Sequence, residues 1–306
     1  MTWPHAVDRR VVACIPHFKC KANIRQAVDS LLQQTHRNLT IVVANDGDRD
    51  PPWDELASIQ DVRLVRFELK RNRGPFFATS VVLHAADAPY LLIQDADDWS
   101  DRRRVSLLLA ALERDQSDLA VSAQSLYVQR GSSLHLSGVR WTEISMVPSP
   151  PDRFMVNPCL TSEYRYRAPH HGLFRSQALR DVGAYYSGFR LSYDRLLTNL
   201  MLMTGRVSHV PVPLYNRLIR VKSITHSAST SWKSEMGRRE FEIGQRFYGL
   251  CFEQYLEYVA GRLSPTALLS FIRKTTQQHV KAAGRSEFHS EVQRLRALLV
   301  ERQSKQ

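Results

Sequence analysis

The sequence predicts an α/β fold built on a mostly parallel β-sheet that helices cover on both faces. Short apolar runs of β type alternate with helical patterns through about the first 125 residues. Several of the runs are apolar throughout, which is typical of strands buried on both faces. From Ser234 to about Gln306 the pattern turns helical and basic, so we expect a helical C-terminal appendage.

The first half of the chain carries the clearest periodicity. A β-type run ends at Pro16, and a helix with Ile24, Val28 and Leu31 on one face follows it. The predicted elements are, in order, strand 11–15, helix 22–34, strand 39–44, strand 62–67, helix 75–86, strand 90–94, helix 102–114 and strand 119–123.

The second half is less regular. Residues 131–141 form a loop or at most an edge strand, and the Pro/Ser-rich stretch 145–153 is a connection. A short helix over 176–182 ends at Gly183, a helix over 191–204 follows, and 207–212 is a further strand. Ser264-Pro265 and Gly284 should interrupt the C-terminal helices.

Composition and charge narrow the function classes. The chain has 306 residues, a net charge of +12, and four cysteines without CxxC spacing. That cysteine pattern favours a reducing, cytoplasmic setting over a zinc site or disulfide framework. We find no signal peptide and no apolar run long enough to cross a membrane. The basic surface suits a phosphorylated ligand or a membrane surface; without a nucleic-acid-binding motif we expect no nucleic-acid partner, and peripheral membrane contact stays open.

Polar clusters follow three of the predicted strands. His17 comes after the first, Asn45–Asp48 after the second, and Gln94–Asp98 after the fourth. In parallel sheets ligands bind outside the carboxyl ends of the strands. The three clusters therefore predict one site at one edge of the sheet.

The stretch QDADDW (94–99) places three carboxylates within four positions. Like charges this close raise one another's pKa, and either a cation or simple exposure in an acidic loop would relieve the conflict. Mn²⁺ and Mg²⁺ prefer oxygen ligands and often take only one or two carboxylates. We expect Asp95 and Asp97 to hold such an ion, with Asp98 as the alternative to Asp95.

Five blocks of the sequence, in this order and spacing, resemble an inverting family 2 glycosyltransferase of the Rossmann-like GT-A fold. They are the strand–Pro–helix–QT–strand–NDG segment from Cys14, NRG (72–74), ADAPYLLIQDADDW, HHGLFRSQALRDVGAYYSGFRLSYDRLL and VPVPLYNRLIRVKSITHS. The resemblance covers about residues 10–229. It implies a metal-dependent single displacement in which a sugar passes from a nucleotide-diphosphate sugar, with UDP- or dTDP-sugars favoured, to an acceptor hydroxyl.

The resemblance also implies a role for each matching residue. Asp194 would be the general base. Nucleotide contacts would come from Pro16, His17, Phe18, Asp46, Asn72, Gly74, Asp95 and Ala96; metal contacts from Asp97, Asp95 and His226; diphosphate contacts from Arg217 and Arg220; and acceptor contacts from His170, His171 and Trp99. The acceptor would be a glycan, a lipid-linked sugar, a peptide or a natural product.

The sequence departs from the family pattern at five positions. Lys19, Asn45 and Thr79-Ser80 replace an Asn, an Asp and an Arg-Asn pair on the nucleotide side, so donor identity is in question more than activity. Tyr193 replaces the Glu of the usual Glu-Asp pair, which leaves Asp194 as its carboxylate. We expect a glycosyltransferase domain over 1–230, with a nucleotide half over about 10–125 and an acceptor half over about 126–230, and a helical region over 231–306.

Simpler interpretations of some of these residues remain open. Asp194 could serve only as a partner of a helix N-terminus, His226 could be a solvated loop residue, and Trp99 could be a packing residue. The alternative functions are a non-catalytic nucleotide-binding protein of the same fold and a nucleotidyltransferase. A nucleotidyltransferase usually has a Gly-rich loop after the first strand, and PHFKCKAN contains no glycine.

Overall fold

The computed structural model describes residues 8–141, 157, 159–165, 169–184, 188–220, 231, 233–278 and 282–304. Its nine strands form one sheet. The strands are β1 (Val11–His17), β2 (Leu39–Asn45), β3 (Leu64–Glu68), β4 (Tyr90–Ile93), β5 (Trp99–Ser100), β6 (Leu119–Arg130), β7 (Ser133–Arg140), β8 (Leu173–Arg175) and β9 (Val207–Ile219).

The described residues form eight helices, and those in the first half of the chain lie close to their predicted positions. They are α1 (Lys21–Leu32), α2 (Pro75–Ala85), α3 (Arg104–Asp115), α4 (Ser176–Asp181), α5 (Tyr193–Thr204), α6 (Glu235–Val259), α7 (Pro265–Thr276) and α8 (Ala282–Gln303). Among the described residues, no helix combines the length and the apolar character that crossing a membrane requires.

The strand order is β3-β2-β1-β4-β8-β6-β9-β5, with β7 paired to β6. The predicted parallel sheet is confirmed for β1 to β4, which pair in parallel. Beyond β4 the sheet is mixed, because β8 runs antiparallel to both β4 and β6.

Two strands are longer than the sequence predicts. β6 continues from the predicted end at 123 to Arg130, and β9 continues from 212 to Ile219. The turn after Arg130 returns β6 into β7, which pairs with β6 and so forms the edge strand that the sequence allowed as the most regular outcome for residues 131–141. Seven of the eight β7 residues are exposed, although successive side chains point to opposite faces. The outer part of this β6–β7 hairpin therefore projects from the body of the protein.

The C-terminal helices pack against the hydrophobic core of the protein. Phe247, Tyr248 and Cys251 of α6 and Leu295 of α8 are buried in the same hydrophobic cluster as α2 and β4. The predicted break at Ser264-Pro265 is confirmed, and Ser264 Oγ caps α7 by accepting from a backbone N–H. Gly284 lies inside α8 and does not end a helix. The 145–153 connection lies outside the described residues.

Candidate active site

The ends of β1 and β2 meet side by side, as predicted. His17 is in register with Asn45, and His17 Nδ1 lies 3.2 Å from Asn45 Oδ1. Asn45 Nδ2 in turn donates to the carbonyl of Asp48 at 3.0 Å. The His17 side chain is fully buried, whereas Pro16 and Phe18 are half-buried. His17 therefore packs against the Asn45 turn and supports it. Of the three neighbouring residues predicted to contact the nucleotide, Pro16 and Phe18 are the two that solvent reaches.

Asp46 holds the loop that carries the predicted Asn72. Its two carboxylate oxygens accept from the backbone N–H groups of Arg73 and Gly74, each at 2.8 Å. Asp46 is only 2% exposed, and burial raises its pKa to about 6 against the two hydrogen bonds. Asn72 is fixed from the other side, because Arg190 Nη2 donates to its backbone carbonyl at 2.8 Å and to its side-chain oxygen.

Glycine at position 47 permits this arrangement. Gly47 has a φ of +66°, and a Cβ there would lie 2.4 Å from Arg71 C and from Asn72 N. Both the backbone conformation and the close approach exclude a side chain. Gly74 also has a positive φ, of +92°, and turns the chain into α2 at Pro75. The loop 71–74 thus lies directly against the Asn45–Asp48 turn.

Asp95 is the best-anchored carboxylate of the acidic stretch. Its Oδ2 accepts from His171 Nε2 at 2.8 Å, and its backbone N–H donates to Tyr215 Oη at 3.1 Å. Gln124 Nε2 donates to His171 Nδ1 at 3.3 Å, which leaves the ring proton on Nε2. Burial and the neighbouring His170 lower the pKa of His171 to about 3, so the ring is neutral at pH 7. Burial opposes the ionisation of Asp95, but His171 outweighs it and holds the pKa of Asp95 well below its usual range.

Asp194 lies in the first turn of α5 and faces His170. His170 Nδ1 lies 3.2 Å from Asp194 Oδ2, although the contact lacks hydrogen-bond alignment. The rings of His170 and His171 are 3.8 Å apart between centroids. Burial disfavours the charged forms of both side chains, but their interaction with each other outweighs it. The pKa of Asp194 is therefore lowered and that of His170 is raised. A continuous chain of side chains therefore joins Asp194 through the two histidines to Asp95.

A C-terminal helix holds the segment that leads to Asp194. The Glu240 carboxylate on α6 accepts from the backbone N–H groups of Arg190 and Leu191, at distances between 2.6 and 3.1 Å. Because Arg190 also binds Asn72, the same contact reaches the nucleotide side of the site. Glu240 thus couples α6 to both halves of the predicted active site.

Asp97 is paired with Arg220, the residue after β9. Arg220 Nε donates to Asp97 Oδ2 at 2.6 Å, and its Nη2 contacts the same oxygen. Burial and the neighbouring Asp95 raise the pKa of Asp97 in spite of this cation. Arg220, which the resemblance assigns to the diphosphate, is therefore bonded here to the predicted metal ligand. Arg217 lies on β9, and its charge acts on Asp95 and on both histidines.

Among the described residues, two groups of side chains could hold a metal ion. In Asp95–Asp97–Asp98 and in Asp95–His170–His171 the ligand atoms lie within 4.8 Å of one another. Asp98 is 2% exposed, and its Oδ1 accepts from the N–H of Leu218 at 2.8 Å, so it fixes β9 to the acidic stretch. Both ring nitrogens of His171 already have partners. Asp95 and Asp97 therefore fit a hard divalent cation best. His226 lies outside the described residues.

A buried arginine supports this centre from behind. Arg104 is fully buried and donates to Gln94 Oε1 and Ser100 Oγ, each at 2.8 Å, and to the carbonyl of Ile93 at 2.9 Å. Its guanidinium lies 4.6 Å from the ring centre of Tyr215. Burial lowers the pKa of Arg104 to about 10, which still leaves it charged. Arg104 thus locks the end of β4 and the tyrosine that anchors Asp95.

Trp99 connects the acidic stretch to the hairpin. It pairs with Asn216 of β9, and its ring lies 4.8 Å from that of Tyr127 on β6. Trp99 is half-buried, whereas Ala96 is only 5% exposed. Trp99 therefore packs against the hairpin, and the rest of its surface is exposed to solvent beside the site.

Sequence reasoning missed five of the supporting residues. Tyr215 and Gln124 lie in strands whose outer halves were not predicted, Arg190 lies in an irregular connection, and Arg104 and Glu240 lie in helices. The signal for Tyr215 and Arg190 was their place within VPVPLYNRLIR and GFRLSYDRLL, which belong to blocks that the resemblance had already assigned to the site. Gln124, Arg104 and Glu240 carry no comparable local signal.

Comparison with known proteins agrees with this geometry. The model of the family described as "Glycosyl transferase family 2" matches residues 12–183. Glycosyltransferase GlyA of Streptococcus pneumoniae is 30% identical over 117 residues, which are 38% of this chain and 17% of that protein. WfaP of Escherichia coli, a UDP-Glc:alpha-D-GlcNAc-diphosphoundecaprenol beta-1,3-glucosyltransferase, is 26% identical over 116 residues, 38% of this chain and 45% of that protein. The chain thus spans less than half the length of these curated relatives.

Solved structures show the same fold over a longer range. Residues 1–349 of S. aureus TarS in complex with UDP-GlcNAc superpose with a TM-score of 0.57 at 17% identity, covering 93% of this chain and 92% of that one. The UDP complex of the same protein gives a TM-score of 0.57 at 16% identity. The mixed sheet and the C-terminal helices are thus shared with a GT-A structure. The family match spans more than half of the chain, although Asp194 lies beyond it, and the chain belongs to glycosyl transferase family 2.

Proposed function

We propose that the protein transfers a sugar from a nucleotide-diphosphate sugar to an acceptor hydroxyl, with inversion at the anomeric carbon and Asp194 as the base. One observation carries the proposal: Asp194 and Asp95, 99 positions apart in the sequence, are joined by a chain of two histidines. Asp194 lies 3.2 Å from His170, the rings of His170 and His171 are 3.8 Å apart between centroids, and His171 lies 2.8 Å from Asp95. A base and a metal-binding carboxylate must lie on opposite sides of one reacting carbon, and this spacing supports that layout.

The reaction balances with one carboxylate as base. As the acceptor oxygen bonds to the anomeric carbon, the bond from that carbon to the diphosphate oxygen breaks and its electron pair leaves with the diphosphate. The hydroxyl proton passes to Asp194, whose lowered pKa keeps it ionised at neutral pH and ready to accept. No second carboxylate in this proposal forms a covalent intermediate, so one displacement inverts the configuration.

On the donor side, Asp95 and Asp97 would hold Mn²⁺ or Mg²⁺, which when bound offsets the charge on the departing diphosphate. Pro16, Phe18 and the 72–74 loop would line the nucleotide, and Asp46 and His17 would keep that loop and turn in place. Arg220 is close enough to serve the phosphates once it leaves Asp97, and Arg217 would add charge nearby. UDP is the favoured nucleotide, since WfaP is named for a UDP-sugar and TarS was solved with UDP-GlcNAc.

The first experiment separates donor binding from chemistry. Calorimetric titration of UDP, dTDP, GDP and CDP, with and without Mn²⁺, should give one tight nucleotide whose binding needs the metal and is lost in Asp97→Ala. Failure of every nucleotide to bind at millimolar concentration would refute the donor site and favour a protein that keeps the fold without the activity.

The second experiment tests the base. Donor consumption with a panel of glycan, lipid-linked, peptide and natural-product acceptors should fall at least about a thousandfold in Asp194→Asn while nucleotide affinity stays within about twofold. Asp181→Asn is the matched control, because Asp181 is also a helical, partly exposed carboxylate beside a basic residue but pairs with Arg273, away from the site. Equal activity in the two variants would remove Asp194 from the mechanism.

A further inference from the structure

Exposed apolar side chains are concentrated at the β6–β7 hairpin and the end of β9. Leu134, Leu136, Val139, Trp141 and Ile219 are each between 39% and 58% exposed. Ten large apolar side chains are exposed among the described residues, and these five are half of them. Single exposed apolar residues are ordinary, but a contiguous set on one projecting element marks a binding surface.

Both faces of the hairpin contribute to this surface. Leu134 and Leu136 share one face of β7 because they are two residues apart. Ile219 of β9 is in register with Val128 of β6, whose other partner is His135, so Ile219 belongs to the opposite face. A partner that covers one face only would leave the other exposed, whereas a medium that surrounds the tip covers both.

The charge of the hairpin selects among the possible partners. Residues 119–141 include Arg130 and Arg140 and contain neither Asp nor Glu. Pairing of the free β7 edge with a second copy would place like charges against each other without a carboxylate between them. An anionic surface complements these charges, and the net charge of +12 for the whole chain acts in the same direction.

We propose that the β6–β7 hairpin docks the protein onto an anionic phospholipid bilayer. Leu134 and Leu136, which pair with Gln129 and Tyr127 close to the turn of the hairpin, enter the boundary between headgroups and acyl chains, where apolar side chains are stable. Arg130 and Arg140 reach the lipid phosphates, since their long stems allow the charged ends to stay at the headgroup level. This inference does not depend on the proposed sugar transfer.

The hairpin is continuous with the site already described. Tyr127 lies on β6 and contacts Trp99, which follows the acidic stretch directly. A hairpin seated on a bilayer therefore holds the Trp99 side of the site near the membrane surface. Acceptors attached to a lipid are the class that this orientation would present to it.

Sedimentation with vesicles tests the docking. The wild type should bind phosphatidylcholine vesicles that contain 30% phosphatidylglycerol and should bind pure phosphatidylcholine at least tenfold more weakly. Leu134→Glu/Leu136→Glu should lower the affinity more than tenfold, and Arg130→Ser/Arg140→Ser about 25-fold, as two contributions of about fivefold each at low salt. Val62→Glu is the matched control, because Val62 is 63% exposed and precedes β3, at the far end of the sheet; it should bind as the wild type does.

Insertion can be read directly from a label. The four native cysteines are all buried, so Leu136→Cys offers one accessible thiol for an environment-sensitive fluorophore. Its emission should shift to the blue when anionic vesicles are added, while a label on Val62→Cys should not respond.

Three results would overturn the proposal. In the first, the wild type does not bind anionic vesicles, light scattering shows that it is a dimer, and the Leu134→Glu/Leu136→Glu variant is a monomer. The hairpin would then be a contact between copies. The second is equal binding to neutral and anionic vesicles, which would remove the charge argument. The third is equal loss of binding in Val62→Glu, which would place the contact elsewhere.

Discussion

Replacement of Gly47 by alanine should damage both stability and nucleotide binding, and Gly131→Ala provides its matched control. Both glycines have a positive φ, +66° at Gly47 and +61° at Gly131. A Cβ at Gly131 meets nothing within 4 Å, whereas one at Gly47 would lie 2.4 Å from two backbone atoms of Arg71 and Asn72. The pair separates the cost of the conformation from the cost of the close approach.

The magnitudes follow from these contacts. An alanine held in the left-handed region costs about 1–2 kcal/mol, which should be the whole effect at Gly131. At Gly47 the 71–72 peptide must also move, and it leads directly to the two N–H groups that bind Asp46. Each hydrogen bond to a charged acceptor contributes about 1.5–3 kcal/mol. We therefore expect Gly47→Ala to cost at least about 3 kcal/mol, unless the loop gives way and the loss falls mainly on the nucleotide site.

Urea unfolding of both variants and calorimetric titration of UDP measure the two quantities. Gly47→Ala should lose at least about 1 kcal/mol more than Gly131→Ala or bind UDP at least tenfold more weakly, while Gly131→Ala keeps wild-type affinity. Equal stabilities together with equal affinities would refute the close approach as the reason for glycine at position 47.

Three further predictions concern titration and pairing. Burial raises the pKa of Asp46 to about 6 from 3.8, so the folded state binds the carboxyl proton more tightly than the unfolded state does. The contribution of this proton to stability is greatest below about pH 4 and falls by up to about 3 kcal/mol as the pH rises through 6. Urea midpoints at pH 4 and pH 7 should therefore differ less in Asp46→Asn than in the wild type, and an unchanged difference would contradict the assignment. Arg220→Ala should bind Mn²⁺ at least about tenfold more tightly in calorimetry without nucleotide, since Asp97 loses its guanidinium partner; unchanged affinity would argue that Asp97 is not a ligand. His170→Ala should lower kcat and move the acid limb of its pH profile upward, because His170 lowers the pKa of Asp194; an acid limb that stays in place would show that the pair does not control the base.

The sequence predicts the first half of the fold well because that half obeys simple periodicity. Strands β1 to β4 and helices α1 to α3 are buried elements with period 2 or 3.6 and lie within a few residues of their predicted limits. The β6–β7 hairpin does not obey such a pattern, because its faces are both exposed and no buried stripe marks it. The inner half of β6 is buried and its outer half is not, so only the buried half was predicted.

The sequence names residues that the structure brings together, but it does not show the contacts between them. Asp95, Asp194 and the two histidines were all named from their motifs, but their pairing depends on segments that pack together only in the folded chain. Arg104 shows the limit best. It lies in a helix whose pattern reads as amphipathic, and only the tertiary structure shows that its guanidinium is fully buried.

The contact of Glu240 with Arg190 and Leu191 bears on how parts of such proteins can be exchanged. A chimaera that joins relatives near residue 230, beyond the end of the family match at Gly183, would look modular in sequence. In three dimensions the joint would separate α6 from the backbone that it holds just before Asp194. The smallest transplantable unit therefore includes the segment from Arg190 through α6, and a new acceptor preference cannot be grafted without carrying along Asp194, the base that we propose.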